Sequence, residues 1–176
     1  MRLFLALLPP APLKPALARL ADAAHQRCGG RRLPDDNLHL TLAFLGEQSE
    51  ALAACIAQRV SAMRIPPGQW QLDRWGYFSR PGIVWIGSAH PHAPLRALHA
   101  SLWDELETLG IEGRPKAFVP HVSLLRGATP PPGDQLPSPA LSWCYQRLAL
   151  VQSVMSREGS RYRVVARSAL PDGNSA

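Results

Sequence analysis

Lysine is almost missing from this chain. Of its 19 basic residues only Lys14 and Lys116 are lysines, and the rest are arginines. With 13 acidic residues the formal net charge is +6. Guanidinium groups suit bidentate contacts to phosphate, so an anionic or nucleic-acid partner is favoured. A GC-rich coding sequence also enriches Arg, Ala and Pro, so the charge supports such a partner without establishing it. Cysteine is scarce too. Cys28, Cys55 and Cys144 are scattered and form no CxxC, which argues against a disulfide framework or a Cys-rich zinc site and fits a reducing cytoplasm. No apolar run approaches the length of a membrane span. The opening MRLFLALLPPAPLK has a short apolar stretch, Leu3 to Leu8, followed by two prolines. It lacks a small-residue cleavage site at the usual distance and reads as a buried first strand rather than a signal peptide. What remains is ordinary globular composition, 46% hydrophobic and 18% charged over 176 residues. That suits one domain, or two small lobes sharing a cleft.

The apolar pattern predicts strands over 2–8 and 38–45, and helices from the PPAP opening to Gly29-Gly30, over 49–63 and over 92–109. QWQLDRWGYF and GIVWIGS read as two strands joined at Ser79-Arg80-Pro81-Gly82. Further strands are expected over 118–127, 141–154 and 160–168. RRLPDDN reads as a polar loop, with Asp35 and Asp36 as solvated turn residues, and 129–139 as a Pro-rich surface linker. Helices do not alternate strictly with strands, so the class is α+β with antiparallel sheet rather than a doubly wound parallel sheet.

The segment DNLHLTLAFLGE, residues 36–47, places His39 and Thr41 on one face of a strand whose other face carries Leu38, Leu40, Leu42 and Phe44. A histidine on a strand is often a satisfied structural residue. Here HLTL at 39–42 recurs as HVSL at 121–124, one copy in each half of the chain. In both, His and hydroxyl lie two apart and project from the same face. If the strands lie side by side, two imidazoles and two hydroxyls face one cleft. Opening a phosphodiester needs one group to take a proton and another to give one, and imidazole, with a pKa of about 6.5, does either. Thr41 and Ser123 are then donors for the non-bridging oxygens. A histidine pair also suits a metal, but no third ligand stands out.

The chain resembles the 2H phosphoesterase superfamily, which is named for two HxTx or HxSx motifs, and within it the bacterial RNA 2′,3′-cyclic phosphodiesterases, also called 2′-5′ RNA ligase-like proteins. The resemblance runs through RLFLALLPP (2–10), LPDDNLHLTLAFLGE (33–47), GIVWIG (82–87), FVPHVSLLR (118–126) and SRYRVVARSAL (160–170). Ser123 stands where many members have Thr. The resemblance implies one bilobal domain over 1–176: two pseudo-symmetric lobes of antiparallel sheet backed by helices, with a central cleft. It implies metal-independent, cofactor-free hydrolysis of RNA terminal 2′,3′-cyclic phosphates to 2′-phosphates. His39 would be the proton donor and His121 the proton acceptor, with Thr41 and Ser123 on the phosphoryl oxygens. The partners implied are RNA ends or nucleotides bearing cyclic phosphate; a monomer is expected, and the cysteine usage places it in the cytoplasm.

Arg126 is a candidate phosphate contact, although strand parity points it away from His121; a surface role is the alternative. Phe118 and Tyr162 are candidate base-stacking residues. Phe44 shares the leucine face and reads as core. The tryptophans read as core or lobe-interface residues, and His25, His90, His92 and His99 as surface. Two other functions use the same groups: 2′-5′ end-joining of RNA, and nucleotide or RNA binding without turnover.

Overall fold

Three segments with apolar residues every third or fourth position are α-helices: α1 (Lys14–Cys28), α2 (Glu50–Ala62) and α3 (Ala93–Thr108). α1 buries Leu17, Leu20, Ala21, Ala24 and Cys28 and stops where Gly29 takes φ of 64°. Ser49 caps α2 by accepting the Leu52 amide at 3.1 Å. α3 buries Leu95, Leu98, Leu102 and Leu106. The computed structural model describes residues 1–172; residues 173–176, the end of the expected single domain, lie outside it.

The strands are β1 (Arg2–Leu7), β2 (Arg31–Arg32), β3 (Leu40–Glu47), β4 (Gly68–Leu72), β5 (Arg74–Phe78), β6 (Ile83–Gly87), β7 (His121–Arg126), β8 (Leu141–Tyr145), β9 (Ala149–Ser156) and β10 (Gly159–Arg167). Eight form one sheet in the order β10-β9-β1-β3-β7-β6-β5, with β2 also on β7, and β4 and β8 form a separate ribbon. All these pairings are antiparallel. The α+β class read from the sequence is therefore borne out. The two halves meet where β3 and β7 pair through a single position, Leu40 opposite Val122.

Three expectations change in detail. QWQLDRWGYF is two strands that part at Asp73, and 141–154 is likewise β8 followed by β9. The front halves leave the main sheet because each carries a tryptophan that needs burial. Trp70 and Trp143 lie opposite in register with ring centroids 5.8 Å apart, both fully buried. Asp73 makes the break: its amide donates to the Gly87 carbonyl and its carboxylate accepts from the Ala89 amide. The polar loop at 31–37 holds the short strand β2 and a turn of 3-10 helix at Asp35–Asn37.

The helices cover one face of the main sheet, where Leu3, Leu5, Leu7, Leu40 and Leu42 join the large core with the helical leucines. The other face carries a smaller cluster, Phe4, Ala6, Ala149 and Val151, with Leu8 and Tyr162 against it. That uncovered face holds the cleft.

Candidate active site

Leu40 and Val122 are completely buried, and their burial pins β3 to β7. Antiparallel register then sets His39 beside Ser123 and Thr41 beside His121, all on the face opposite the core. The four motif side chains line one cleft of about 510 Å³, together with Arg126 and Tyr162.

The strands do not keep simple alternation after the motifs. Along β1, Leu5 pairs with Ala43 but Ala6 with Thr41. Along β6, Val84 pairs with Leu125 but Trp85 with Ser123. β3 has an extra residue near its end, Leu45, and just after the motifs one residue is extra in each strand, Leu42 and Leu124. Such a bulge turns two successive side chains to one face and re-aims the rest of the strand. Leu42 with Ala43, and Leu124 with Leu125, are accordingly all buried. The next residue in each strand swings back to the cleft. Phe44 is thus 72% exposed at the mouth rather than in the core, which corrects the parity reading. The same bulge brings Arg126 into the cleft. Both lie five residues after their motif histidine.

The two imidazoles are held alike. His39 Nδ1 lies 2.7 Å from the Asn37 carbonyl oxygen, and His121 Nδ1 lies 2.7 Å from that of Val119. A carbonyl only accepts, so each neutral ring carries its proton on Nδ1 and leaves Nε2 as the basic nitrogen. His39 Nε2 is 2.7 Å from Thr41 Oγ1. Burial pulls the His39 pKa down to about 4; the Asn37 carbonyl opposes this, and the charge of His121 adds to the fall. Burial also lowers His121, against the Val119 carbonyl. Without an anion both rings are neutral at pH 7. A phosphate between them reverses that balance, since a nearby negative charge favours imidazolium.

Aromatic rings wall both histidines. Phe4 and Tyr162 stand 4.8 and 5.4 Å from His39, centroid to centroid, and Phe78 and Trp85 stand 5.0 and 5.7 Å from His121. Phe118 is not among the residues lining the cleft. It stacks on His99 at 4.0 Å, nearly parallel, and lines an adjoining apolar groove that meets the cleft at Thr41, Phe44 and His121. His99 is therefore buried rather than superficial, because the apolar stripe of α3 turns it inward beneath Phe118. His92 is half-buried at the start of α3 with Nε2 enclosed. His25 and His90 are exposed, as expected, and so are Asp35 and Asp36.

Among the cleft residues that sequence reading missed are Arg2, Phe4, Arg31 and Asn37. Arg2 and Phe4 lie on the uncovered face of β1, where parity with Ala6 was the available signal. Arg31 is brought in by pairing with Arg126, which no local pattern shows. Asn37 contributes through its backbone carbonyl, to which composition is blind. Its side chain also donates to the Ser160 carbonyl at 2.9 Å, tying the β9–β10 hairpin to the motif loop. Among the described residues, no three His, Cys, Asp or Glu side chains are grouped to hold a metal.

The model of the 2′-5′ RNA ligase superfamily matches residues 9–153. The chain belongs to that family. It is 32% identical over 171 residues to the RNA 2′,3′-cyclic phosphodiesterase of Escherichia coli, covering 96% of each chain. It is 32% identical over 165 residues to the protein of the same name from Aeropyrum pernix, covering 85% of this chain and 92% of that one. The crystal structure of E. coli LigT complexed with 3′-AMP matches with a TM-score of 0.82 at 31% identity, covering 97% of this chain and 98% of that one. The resemblance carried by the two motifs is thereby borne out.

Proposed function

We propose that this protein hydrolyses RNA terminal 2′,3′-cyclic phosphates to 2′-phosphates by paired-histidine acid–base catalysis without a metal ion. The observation that carries the reading is the matched pair of imidazoles in one cleft, each with Nδ1 held by the carbonyl two residues upstream and Nε2 left as the basic nitrogen. His121 Nε2 takes a proton from water as its oxygen bonds to phosphorus. The bond from phosphorus to the 3′ oxygen breaks, and His39 Nε2–H delivers a proton to that oxygen. Thr41 and Ser123 donate to the non-bridging oxygens, where charge builds in the transition state. The anionic substrate itself supports the imidazolium that His39 must become. Phe44 and Tyr162 offer ring surface for a base.

The relatives named RNA 2′,3′-cyclic phosphodiesterase support this activity. With a ribose 5′-hydroxyl in place of water the same groups run end-joining, the activity in the family's name. The deciding experiment incubates a cyclic-phosphate-ended oligonucleotide with the enzyme in EDTA and reads the product by chromatography. A 2′-phosphate is expected. A 3′-phosphate would reverse the assigned leaving group, and activity lost in chelator but restored by zinc or manganese would refute metal independence.

A further inference from the structure

The cleft carries more positive charge than its reaction uses. Arg2 from β1, Arg31 from β2 and Arg126 from β7 all line it. Among the described residues none of the three makes an ion pair. The neighbouring Arg32 shows the contrast: Asp22 and Asp35 hold it at 2.6 and 2.7 Å. The one acid in the cleft lining, Glu158, is taken by Arg161 at 2.7 Å. Glu47, opposite Arg2 in register, meets the chain's own amino group at 3.3 Å. Three guanidinium groups thus face the cleft without a partner, while a cyclic phosphate brings a single negative charge.

Their positions also separate them from the reacting centre. Ala6 pairs with Thr41, and Arg2 lies four residues further along β1, about 13 Å at strand spacing. Arg126 stands three residues beyond Ser123, about 10 Å away, and Arg31 pairs with it. The Tyr162 phenol marks where the three charges converge: burial raises its pKa, and Arg126, Arg2 and Arg31 each pull it back.

We propose that Arg2 and Arg31, together with Arg126, form a second phosphate subsite for the phosphodiester that joins the terminal nucleotide to the one before it. The subsite makes RNA ends better substrates than free cyclic nucleotides. This rests on the phosphodiesterase reading, because it assumes that the reacting phosphate lies between the histidines.

The test compares kcat/KM for uridine 2′,3′-cyclic phosphate, for the adenylyl-uridine dinucleotide with the same cyclic end, and for that dinucleotide with a neutral methylphosphonate linkage. Each is assayed with the wild type and with the R2A/R31A double variant. Charge-assisted contacts of this kind give an expected preference of roughly tenfold or more for the charged dinucleotide. In the wild type the methylphosphonate removes that preference. In the double variant the preference falls about tenfold and the methylphosphonate has little further effect. A wild-type ratio near one, a ratio that survives the double substitution, or loss of all three substrates in proportion would each overturn the second subsite. The methylphosphonate comparison on the wild type needs no variant, so a folding defect leaves the test intact. Failure of the wild type on every cyclic substrate would instead overturn the phosphodiesterase reading.

Discussion

His39 sits between Phe4 and Tyr162 in a setting that disfavours its charged form, and the consequence reaches stability as well as rate. Its pKa falls from the ordinary 6.5 to about 4 on folding. Between those values the unfolded chain binds a proton at this ring that the folded chain does not. Stability therefore falls as pH drops through that window, by about 3 kcal/mol in the limit. The variant H39Q is expected to lose less stability than the wild type between about pH 7 and about pH 4.5, read by urea denaturation. Equal losses would mean that the imidazole is solvated. The rate profile carries a second expectation. The limbs of kcat/KM belong to the free enzyme and those of kcat to the complex. In the proposed mechanism bound phosphate raises His39, so the alkaline limb of kcat should lie at higher pH than that of kcat/KM. Coincident limbs would contradict the role of substrate in charging His39. Thr41 Oγ1 lies 2.7 Å from His39 Nε2 and is a proposed phosphoryl donor. T41V is expected to lower kcat by about 10²–10³-fold, while T41S keeps most of the rate. A large loss in T41S with little loss in T41V would assign the contribution to the methyl group's packing instead.

At the level of elements, the bulges in β3 and β7 decide which side chains reach the cleft. Leu42 is 2% exposed and Phe44 is 72% exposed although they lie two apart, where plain alternation would put them on one face. L42A is expected to cost about 2–5 kcal/mol of stability. F44A should leave the unfolding midpoint nearly unchanged and raise KM, measured by denaturation and steady-state kinetics on the same preparations. A large destabilisation by F44A would place that ring back in the core. The end of β7 is held from below by Gly30, whose φ is +73° and whose added Cβ would meet the Arg126 carbonyl oxygen at 2.5 Å and the Ala128 amide nitrogen at 2.8 Å. Those are backbone atoms that cannot rotate away. G30A should therefore destabilise by about 1–3 kcal/mol and lower activity by displacing Arg126. Unchanged thermal midpoint and rate would show that the β2–β7 end yields freely.

Across the whole molecule, the net charge of +6 and the arginines of the cleft would act on the proposed anionic substrate before contact is made. Such steering is screened over about 8–10 Å at physiological salt. Raising salt from about 0.05 to about 0.3 M should lower kcat/KM severalfold while kcat changes little. Stopped-flow or initial-rate titration of sodium chloride measures this, and a salt-independent kcat/KM would leave the cleft arginines without a role in encounter. Among the described residues no helix is long and apolar enough to cross a membrane.

The pairing of the two motifs in one cleft was legible in the sequence because strand parity is local. Two residues apart on one face holds for His39 with Thr41 and for His121 with Ser123 whatever surrounds them, and the repeat of that spacing named the pair. The helices were legible for the same reason, their apolar period being a property of consecutive residues. What the sequence could not decide were relations between distant strands. A bulge exists only against a partner, so parity sent Phe44 into the core and turned Arg126 away until β1 and β6 set the registers. The parting of β4 from β5 depended on Trp70 finding Trp143, 73 residues on in the chain. Asn37 entered the site through a carbonyl, which every residue type carries alike. Arg31 entered by pairing with Arg126, and Arg2 by the closure of β1 between β3 and β9. Residue identity determined which groups could move protons; tertiary register decided which charges and rings stand around them, because register is an energy of contact between strands and is written in neither strand alone.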